Sequence, residues 1–270
     1  MILKRFKQTL SDSSIFLIIF GFIYFHSSLI WWSILASWIF CNCVSLIVHE
    51  GWGHQYVTPK NRYVGYVLDI VGYLGMPLFA FETQSRKIMW KVLHKIHHIH
   101  WKESLDYSQW DVDHNSTITY LFFPFRTNHM RQDMFYDKIA DKVYNKVYLG
   151  MDTISRFLDY NRNKIVILIH ILSLVCLGLE YYFYFVFVPT YSYDVYHRYF
   201  GEVLAHKGKQ TKDADYDIPW LFFICTSIAY HKSHHQYPEL NLGPKWVKYF
   251  NIQYYFTKLF FRINPAIPLS

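Results

Sequence analysis

The stretch LIWWSILASWIFCNCVSLIVHEGWGH, from Leu29 to His54, joins an apolar run to a pair of histidines. Its first part, Leu29 to Val48, carries no charged residue and has the length of about 20 residues that a helix needs to cross a hydrocarbon core. His49, Glu50 and His54 follow directly. The stretch therefore predicts a membrane-spanning helix that ends at a polar, histidine-bearing site.

Further apolar segments predict a membrane domain of four helices. The expected spans form two hairpins, residues 11–27 with 29–48, and residues 164–180 with 181–200, the second turning at Glu180. Only 17% of the residues are charged, against about 25% in a typical soluble domain. The sequence thus predicts an all-α integral membrane protein with four transmembrane helices. A cytoplasmic helical cap, residues 49–163 and 201–270, completes a single domain over residues 1–270.

The basic residues are placed asymmetrically along the chain. Of 27 Lys and Arg, three precede the first hairpin, fifteen lie between the hairpins and nine follow the second, and neither hairpin tip carries one. Cytoplasmic loops of membrane proteins carry such an excess. We therefore expect a multi-pass protein whose termini and histidine clusters lie on the cytoplasmic face. The net charge of +7 then reflects topology and anionic lipid headgroups, and no nucleic-acid partner is expected.

Nine of the fifteen histidines fall into a pattern that suggests metal ligands, eight of them in clusters and His206 alone. Two HxxHH triplets each place three imidazoles at i, i+3 and i+4, which is one face of a helix. Neutral imidazole is the commonest protein metal ligand, and nitrogen ligands without thiolates suit iron, zinc or copper. Nine imidazoles exceed the four ligands of a structural zinc site, so a dimetal site is expected. The candidate ligands are His49, His54, His94, His97, His98, His206, His231, His234 and His235.

The first histidine pair excludes one familiar class of enzyme. The zinc-protease motif HExxH needs its histidines at i and i+4, whereas His49 and His54 are five positions apart. That spacing also does not share one face of a straight α-helix. Glu50 is then either a residue that orients a ligating histidine or a surface carboxylate. His206 has Glu202 one turn earlier, which favours a ligand over a lone structural histidine.

With these residues the chain resembles the integral-membrane fatty acid desaturases of the desaturase/hydroxylase superfamily. HEGWGH resembles their first histidine box, HKIHH (residues 94–98) their second and YHKSHHQYP (residues 230–238) their third. The order of two spans, two boxes, two spans and a third box is similar over nearly the whole chain. In acyl-CoA desaturases of this type a further histidine after the fourth span binds iron, and His206 matches it.

Two residues depart from the pattern of that family. Glu202 replaces an asparagine that usually holds a metal through water, and a carboxylate there would bind iron directly or through water. Tyr107 replaces the proline that commonly follows the aspartate at Asp106. The first departure bears on the reactivity of the metal, and the second bears on contacts with the substrate.

The resemblance implies a membrane-bound non-haem diiron oxidoreductase that uses O₂ to introduce a double bond into an acyl chain. It implies two iron ions, membrane lipid contact, and a fatty acyl substrate carried by coenzyme A, acyl carrier protein or a glycerolipid. It also implies a separate electron donor, a cytochrome b5 or a ferredoxin. The alternative is a fatty acid or lipid hydroxylase with the same diiron site. A metal transporter or sensor would instead need ligands buried within the spans, and His170 is the only histidine in the middle of one.

Overall fold

The computed structural model describes residues 14–76, 87–88, 90–91, 94, 148–196 and 252–264. These residues are mostly helical, which confirms the predicted fold class at that level. The α-helices are α1 (Ser14–Phe25), α2 (Leu29–Ser45), α3 (Arg62–Leu74), α4 (Thr153–Tyr160), α5 (Arg162–Tyr182), α6 (Val188–Tyr196) and α7 (Ile252–Phe260). Two π-helical segments, Leu46–Gly53 and Phe183–Phe187, continue α2 and α5.

A small sheet corrects the expectation of a purely α-helical chain. Strand β1 (Val57–Pro59) pairs antiparallel with β2 (Phe261–Ile263), with Thr58 opposite Arg262. Each strand has three residues, which is too short for the alternation of apolar and polar residues that marks a strand in a sequence. The two strands are also far apart along the chain, so no turn sequence between them indicates that they pair.

Two helical stretches are long and apolar enough to cross a membrane, Leu29–Gly53 and Arg162–Tyr193, and Phe16–Phe25 is a shorter apolar helix. Only 11% of the most apolar window of Arg162–Tyr193 is buried, whereas the core helix of a soluble protein is mostly buried. The exposed side chains include Phe20 and Val175. Broad apolar surfaces of this kind mark contact with a membrane or another protein. The full topology of four spans and the cytoplasmic orientation stay predictions.

The second of these stretches reverses direction at Gly178, which has φ 75° and ψ 168° inside an otherwise helical run. The Nδ1 atom of His170 lies 2.8 Å from the hydroxyl of Tyr182, and its ring centroid lies 6.4 Å from that of Tyr191. A straight helix would separate these positions by about 18 and 32 Å at 1.5 Å per residue. The two halves therefore face each other, and the reversal lies two residues before Glu180.

Replacing Gly178 with alanine is expected to destabilise this reversal by about 1–3 kcal/mol, because this backbone region is essentially confined to glycine. A Cβ at Gly178 would meet no atom within 4 Å, so the loss would come from backbone strain alone. Thermal unfolding in detergent measures it. Gly65→Ala is the control, since its Cβ would make ordinary contact with Pro59 and alanine is favoured within a helix. Equal midpoints for Gly178→Ala and the wild type would contradict the assignment.

Close contacts join α1 and α2 to the second π-helical segment. Ser33 on α2 donates its hydroxyl hydrogen to the carbonyl oxygen of Tyr184 at 2.7 Å, in a buried position. On α1, a Cβ at Gly21 would lie only 2.2 Å from ring atoms of Phe183, so the absence of a side chain lets that ring approach the helix. The segments therefore pack as one helical bundle around Ser33 and Phe183.

Polar side chains set where the helices outside this bundle begin. The Asn61 side chain accepts a hydrogen bond from the backbone N–H of Val64 at 3.0 Å, and this caps α3. Asp152 caps α4 in the same way, through the backbone N–H groups of Ile154 and Ser155. Such caps satisfy donors that have no partner within the helix and contribute about 1 kcal/mol each.

The larger hydrophobic core lies where the first π-helical segment meets α3 and the strands. Leu46, Ile47 and Val48 are at most 2% exposed, and they pack with Val57 of β1 and Leu68 of α3. Because this segment is buried on several sides, its backbone is fixed by tertiary packing. The histidines that it carries are therefore held in place.

Candidate metal centre

The first π-helical segment brings His49 and His54 together despite their spacing of five. In an α-helix, residues five apart point about 140° away from each other. Here the backbone N–H of His54 donates to the carbonyl oxygen of His49 at 3.0 Å, which is the i→i+5 bond of a π-helix. Their ring centroids lie 4.9 Å apart. The helical run that begins at Leu29 continues through Gly53, beyond the span of residues 29–48 expected from the sequence.

His94 completes a cluster of three imidazoles, the histidine triad His49, His54 and His94. The Nε2 atoms of His54 and His94 lie 2.7 Å apart, and one nitrogen from each of the three rings lies within 4.8 Å of the others. All three residues are at most 9% exposed. His94 belongs to the second histidine box and is helical, as the HxxHH pattern predicts for this position.

The dimensions of the triad fit a metal ion. Imidazole nitrogens bind such ions at about 2.0–2.1 Å, so two nitrogens on one ion lie about 3–4 Å apart. The two Nε2 atoms at 2.7 Å lie just below that interval, and all three nitrogens lie within 4.8 Å of one another, so small rotations of the rings would place them around one ion. Two Nε2 atoms at 2.7 Å also cannot both carry a proton, so at least one lone pair points into the cluster. The donor set is nitrogen only, which suits iron, zinc or copper.

Glu50 orients one member of the triad. Its Oε1 atom lies 2.8 Å from Nδ1 of His49, and the residue is 7% exposed. A carboxylate at Nδ1 keeps the proton on that nitrogen and leaves the lone pair of Nε2 for a metal. Of the two interpretations of Glu50 from the sequence, the orienting residue agrees with this geometry and the surface carboxylate is wrong.

A glycine makes room for the triad, and the sequence alone did not single it out. A Cβ at Gly53 would lie 2.6 Å from Cδ2 of the His94 ring. The other walls are aromatic: Tyr56 stacks on His54 with centroids 4.7 Å apart, and Trp90 lies 5.5 Å from His94. These contacts and the burial of all three rings keep most solvent away from the triad.

Gly53→Ala is expected to weaken metal binding by about 10–100-fold, the loss typical of a disturbed ligand orientation. The new methyl group would push the His94 ring away from its partners, because 2.6 Å is far inside contact distance. Metal titration of the purified protein measures the effect. Gly51→Ala is the matched control, since a Cβ there comes no closer than 3.5 Å to its neighbours. Equal affinities in both variants would contradict this account of the triad.

The C-terminal part of the chain secures the loop that follows the first box. Gln55 has φ 59°, a left-handed conformation that turns the chain out of the helix. Asn264 donates its backbone N–H to the carbonyl oxygen of Tyr56 and its side-chain amide to that of Gln55, both at 2.7 Å. On α7, Gln253 donates to the backbone carbonyl of Asn42 at 3.0 Å. Gln253 thus holds the chain just before the first π-helical segment, and Asn264 holds it just after that segment.

A buried network of charged and aromatic residues supports the other side of the segment. Trp52 donates its indole N–H to Asp69 at 3.0 Å, and Lys87 binds both carboxylate oxygens of Asp69 at 2.8–2.9 Å. Tyr73 donates its hydroxyl to Asp159 at 2.8 Å. Burial raises the pKa of Asp69, and the nearby ammonium of Lys87 offsets part of that rise. Burial and the Asp159 charge hold the pKa of Tyr73 well above its usual value.

The structure therefore brings together three of the predicted ligands, one pair from the first box and one residue from the second. Among the described residues no other group of three such side chains has the geometry to bind a metal ion. The remaining predicted ligands lie outside the described residues; they are His97, His98, His206, His231, His234, His235 and Glu202. A second metal ion, which depends on them, stays a prediction.

Comparison with known proteins gives no relative. No protein-family model matches the chain, and neither a curated protein nor a solved structure matches it. The resemblance to membrane desaturases thus depends on the spacing of the histidine boxes and on the apolar segments between them.

Proposed function

We propose that the chain is a membrane-bound fatty acyl desaturase with a non-haem diiron centre. The observation that carries this proposal is the convergence of His49 and His54, from the first box, with His94, from the second box, within 4.8 Å. His54 and His94 are 40 positions apart in the chain. Histidines scattered at random would not be expected to meet in a buried part of the molecule. A buried nitrogen-only cluster suits an oxygen-reactive metal better than a structural zinc site, where cysteine is prominent.

The residues of the site would have separate tasks. The triad would supply three nitrogen ligands, and the histidines of the third box with His206 and Glu202 would complete the coordination of two ions. Glu50 would keep His49 in the tautomer that binds metal. Two bound irons would supply the O₂ chemistry that removal of hydrogen from an unactivated methylene group needs. Tyr56 and Trp90 would exclude water from the rings, which protects a reactive centre from side reactions.

The membrane arrangement that we propose has two hairpins and a cytoplasmic cap. It is supported by the absence of cations at both predicted tips, by the reversal at Gly178, and by the contact of Ser33 with Tyr184 that joins the hairpins. In this arrangement a fatty acyl substrate would enter from the lipid, and a cytochrome b5 or ferredoxin would deliver electrons from the cytoplasm. The triad, whose His49 and His54 lie at the end of the apolar stretch Leu29–Gly53 and directly after it, would lie at the membrane surface.

Fatty acid analysis of a host that expresses the chain tests the proposal. We expect new monounsaturated acids that the host with an empty vector lacks. New hydroxy acids with no new double bond would instead establish the alternative, a lipid hydroxylase with the same site. An unchanged lipid profile in cells that contain the folded, iron-loaded protein would reject both functions.

A further inference from the structure

The short helix α4 buries polar side chains and exposes apolar ones. Asp159, which is 3% exposed, accepts hydrogen bonds from the hydroxyl of Tyr73 and the backbone N–H of Lys87, both at 2.8 Å. Ile154 and Phe157, on the opposite side of the helix, are 49% and 62% exposed. A surface helix of a soluble domain has the reverse arrangement, with its apolar side toward the core. The outward side of α4 is therefore suited to an apolar environment.

The exposed side of α4 continues into the exposed side of α5. The N–H of Asn161 donates to the carbonyl oxygen of Phe157, and the N–H of Ile165 donates to that of Asn161, both at 3.0 Å, so α-helical hydrogen bonds cross the junction. Exposed side chains then recur three, four or seven positions apart, which is one face of a helix. They are Ile154, Phe157, Lys164, Leu168 and Ile171. This face therefore extends the surface of a candidate membrane span onto α4.

We propose that α4 lies in the headgroup layer of the membrane, where Ile154 and Phe157 enter the boundary between headgroups and acyl chains. The partner of this surface is the lipid bilayer itself. Helices with one polar and one apolar side bind at that depth. Part of the segment predicted to be a cytoplasmic cap, residues 49–163, would then be bound to the membrane.

The length of α5 supports this placement of α4. From Arg162 to Gly178, where the chain reverses, the helix rises by about 24 Å, whereas a hydrocarbon core is about 30 Å thick. A straight helix that began at Phe157 would rise by about 32 Å to the same reversal. Lys164, which is exposed on the same face, can extend its ammonium to the headgroups while its stem stays in the apolar boundary.

The proposal rests on the membrane arrangement of the proposed function, but it requires neither a metal ion nor an acyl substrate. The polar side of α4 links it to the candidate metal centre, because Asp159 holds the backbone of Lys87, seven positions before His94. An α4 that is fixed in the headgroup layer would therefore help to hold the triad at a set depth.

Spin labelling of the full chain in lipid nanodiscs tests the proposal. A nitroxide is attached to Phe157→Cys, and its collisions with O₂ and with a polar nickel chelate are measured. Leu168→Cys is the comparison within the candidate span, and Thr58→Cys is the comparison at an exposed polar position outside both candidate spans. Serine replaces the exposed Cys176 in every variant, and also Cys225, which lies outside the described residues.

O₂ dissolves in hydrocarbon, whereas the polar chelate stays in water. We therefore expect the ratio of O₂ to nickel collisions at Phe157 to exceed that at Thr58 by about threefold or more, and to approach that at Leu168. Ile154→Cys should give the same result as Phe157→Cys, so the test does not depend on the folding of one variant.

The other outcomes would overturn the proposal. Frequent nickel collisions at Ile154 and Phe157 would show that α4 faces water, and few collisions with either reagent would show that protein covers it. A lipid-like ratio at Leu168 alone would reject the role of α4 and leave the proposed span intact. A water-like ratio at Leu168 as well would reject the membrane arrangement, and the fatty acid analysis tests the chemistry separately.

Discussion

His94→Ala is expected to remove the metal from the purified protein and to abolish the change in the host's fatty acids. The substitution deletes one of three nitrogens that lie within 4.8 Å of one another. Loss of a residue that only orients a ligand already weakens metal binding about 10–100-fold, so loss of the ligand itself should weaken it by at least about 100-fold. Metal analysis of the variant and product analysis of the host measure the two effects.

His26→Ala is the matched control for this experiment. His26 is exposed at the turn between α1 and α2, far along the chain from the triad, so its loss should leave metal content and products unchanged. The amount of membrane-inserted protein should be the same for both variants, since His94 contributes no apolar surface to a candidate span. A fully active, metal-replete His94→Ala protein would reject the triad as the metal site.

Lys87→Met is expected to lower the free energy of unfolding by about 2–3 kcal/mol. Its ammonium binds both carboxylate oxygens of Asp69, whose side chain is only 5% exposed. Without Lys87 the buried carboxylate would lose its ion-pair partner, and little water could reach it as a replacement. Breaking a buried ion pair costs about 3–5 kcal/mol, and we expect less here because the Lys87 side chain is 28% exposed. Unfolding in detergent, with Lys164→Met as the exposed control, measures the difference.

The loss in Lys87→Met should depend on pH. Burial holds the pKa of Asp69 above its usual value, and Lys87 opposes this shift, so its removal raises that pKa further. A carboxyl group with a raised pKa in the folded state contributes full stability below its unfolded pKa and loses it as the pH rises through the folded value. The variant should therefore approach the wild type as the pH falls towards the unfolded pKa of about 4, and fall further behind it as the pH rises.

A double variant separates charge from packing. In Asp69→Asn/Lys87→Met neither charge of the ion pair remains, and the asparagine oxygen would still accept the indole N–H of Trp52. Most of the lost stability should return, because replacing both partners costs much less than removing one. If the double variant is as unstable as Lys87→Met at every pH, the ion pair does not hold this part of the fold.

Local physical properties explain what the sequence predicted well. The apolar runs that begin at Leu29 and Arg162 can be recognised in the sequence, because the hydrophobicity of about 20 consecutive residues is a local property of the chain. The HxxHH spacing places His94 on a helix for the same reason, since the α-helical period is local. These features required no knowledge of the tertiary contacts.

Tertiary packing explains what the sequence did not predict. The spacing of His49 and His54 seemed to separate them because an α-helical period was assumed, whereas burial around Leu46–Val48 accompanies a π-helical backbone. Arg162 counted as one of the loop cations, yet its guanidinium is buried and donates to the carbonyl oxygen of Met76 at 2.8 Å. Its partner lies 86 positions away, and no local pattern identifies a contact at that separation.

Metal analysis of the purified wild-type protein, combined with X-ray absorption at the metal edge, tests the central claim most directly. Our account predicts about two iron ions per chain with a first shell dominated by imidazole nitrogen at about 2.0–2.2 Å and without sulfur. It also predicts that Gly53→Ala changes this shell and that Gly51→Ala does not. Folded protein that binds no metal, or binds it through sulfur, would contradict the account.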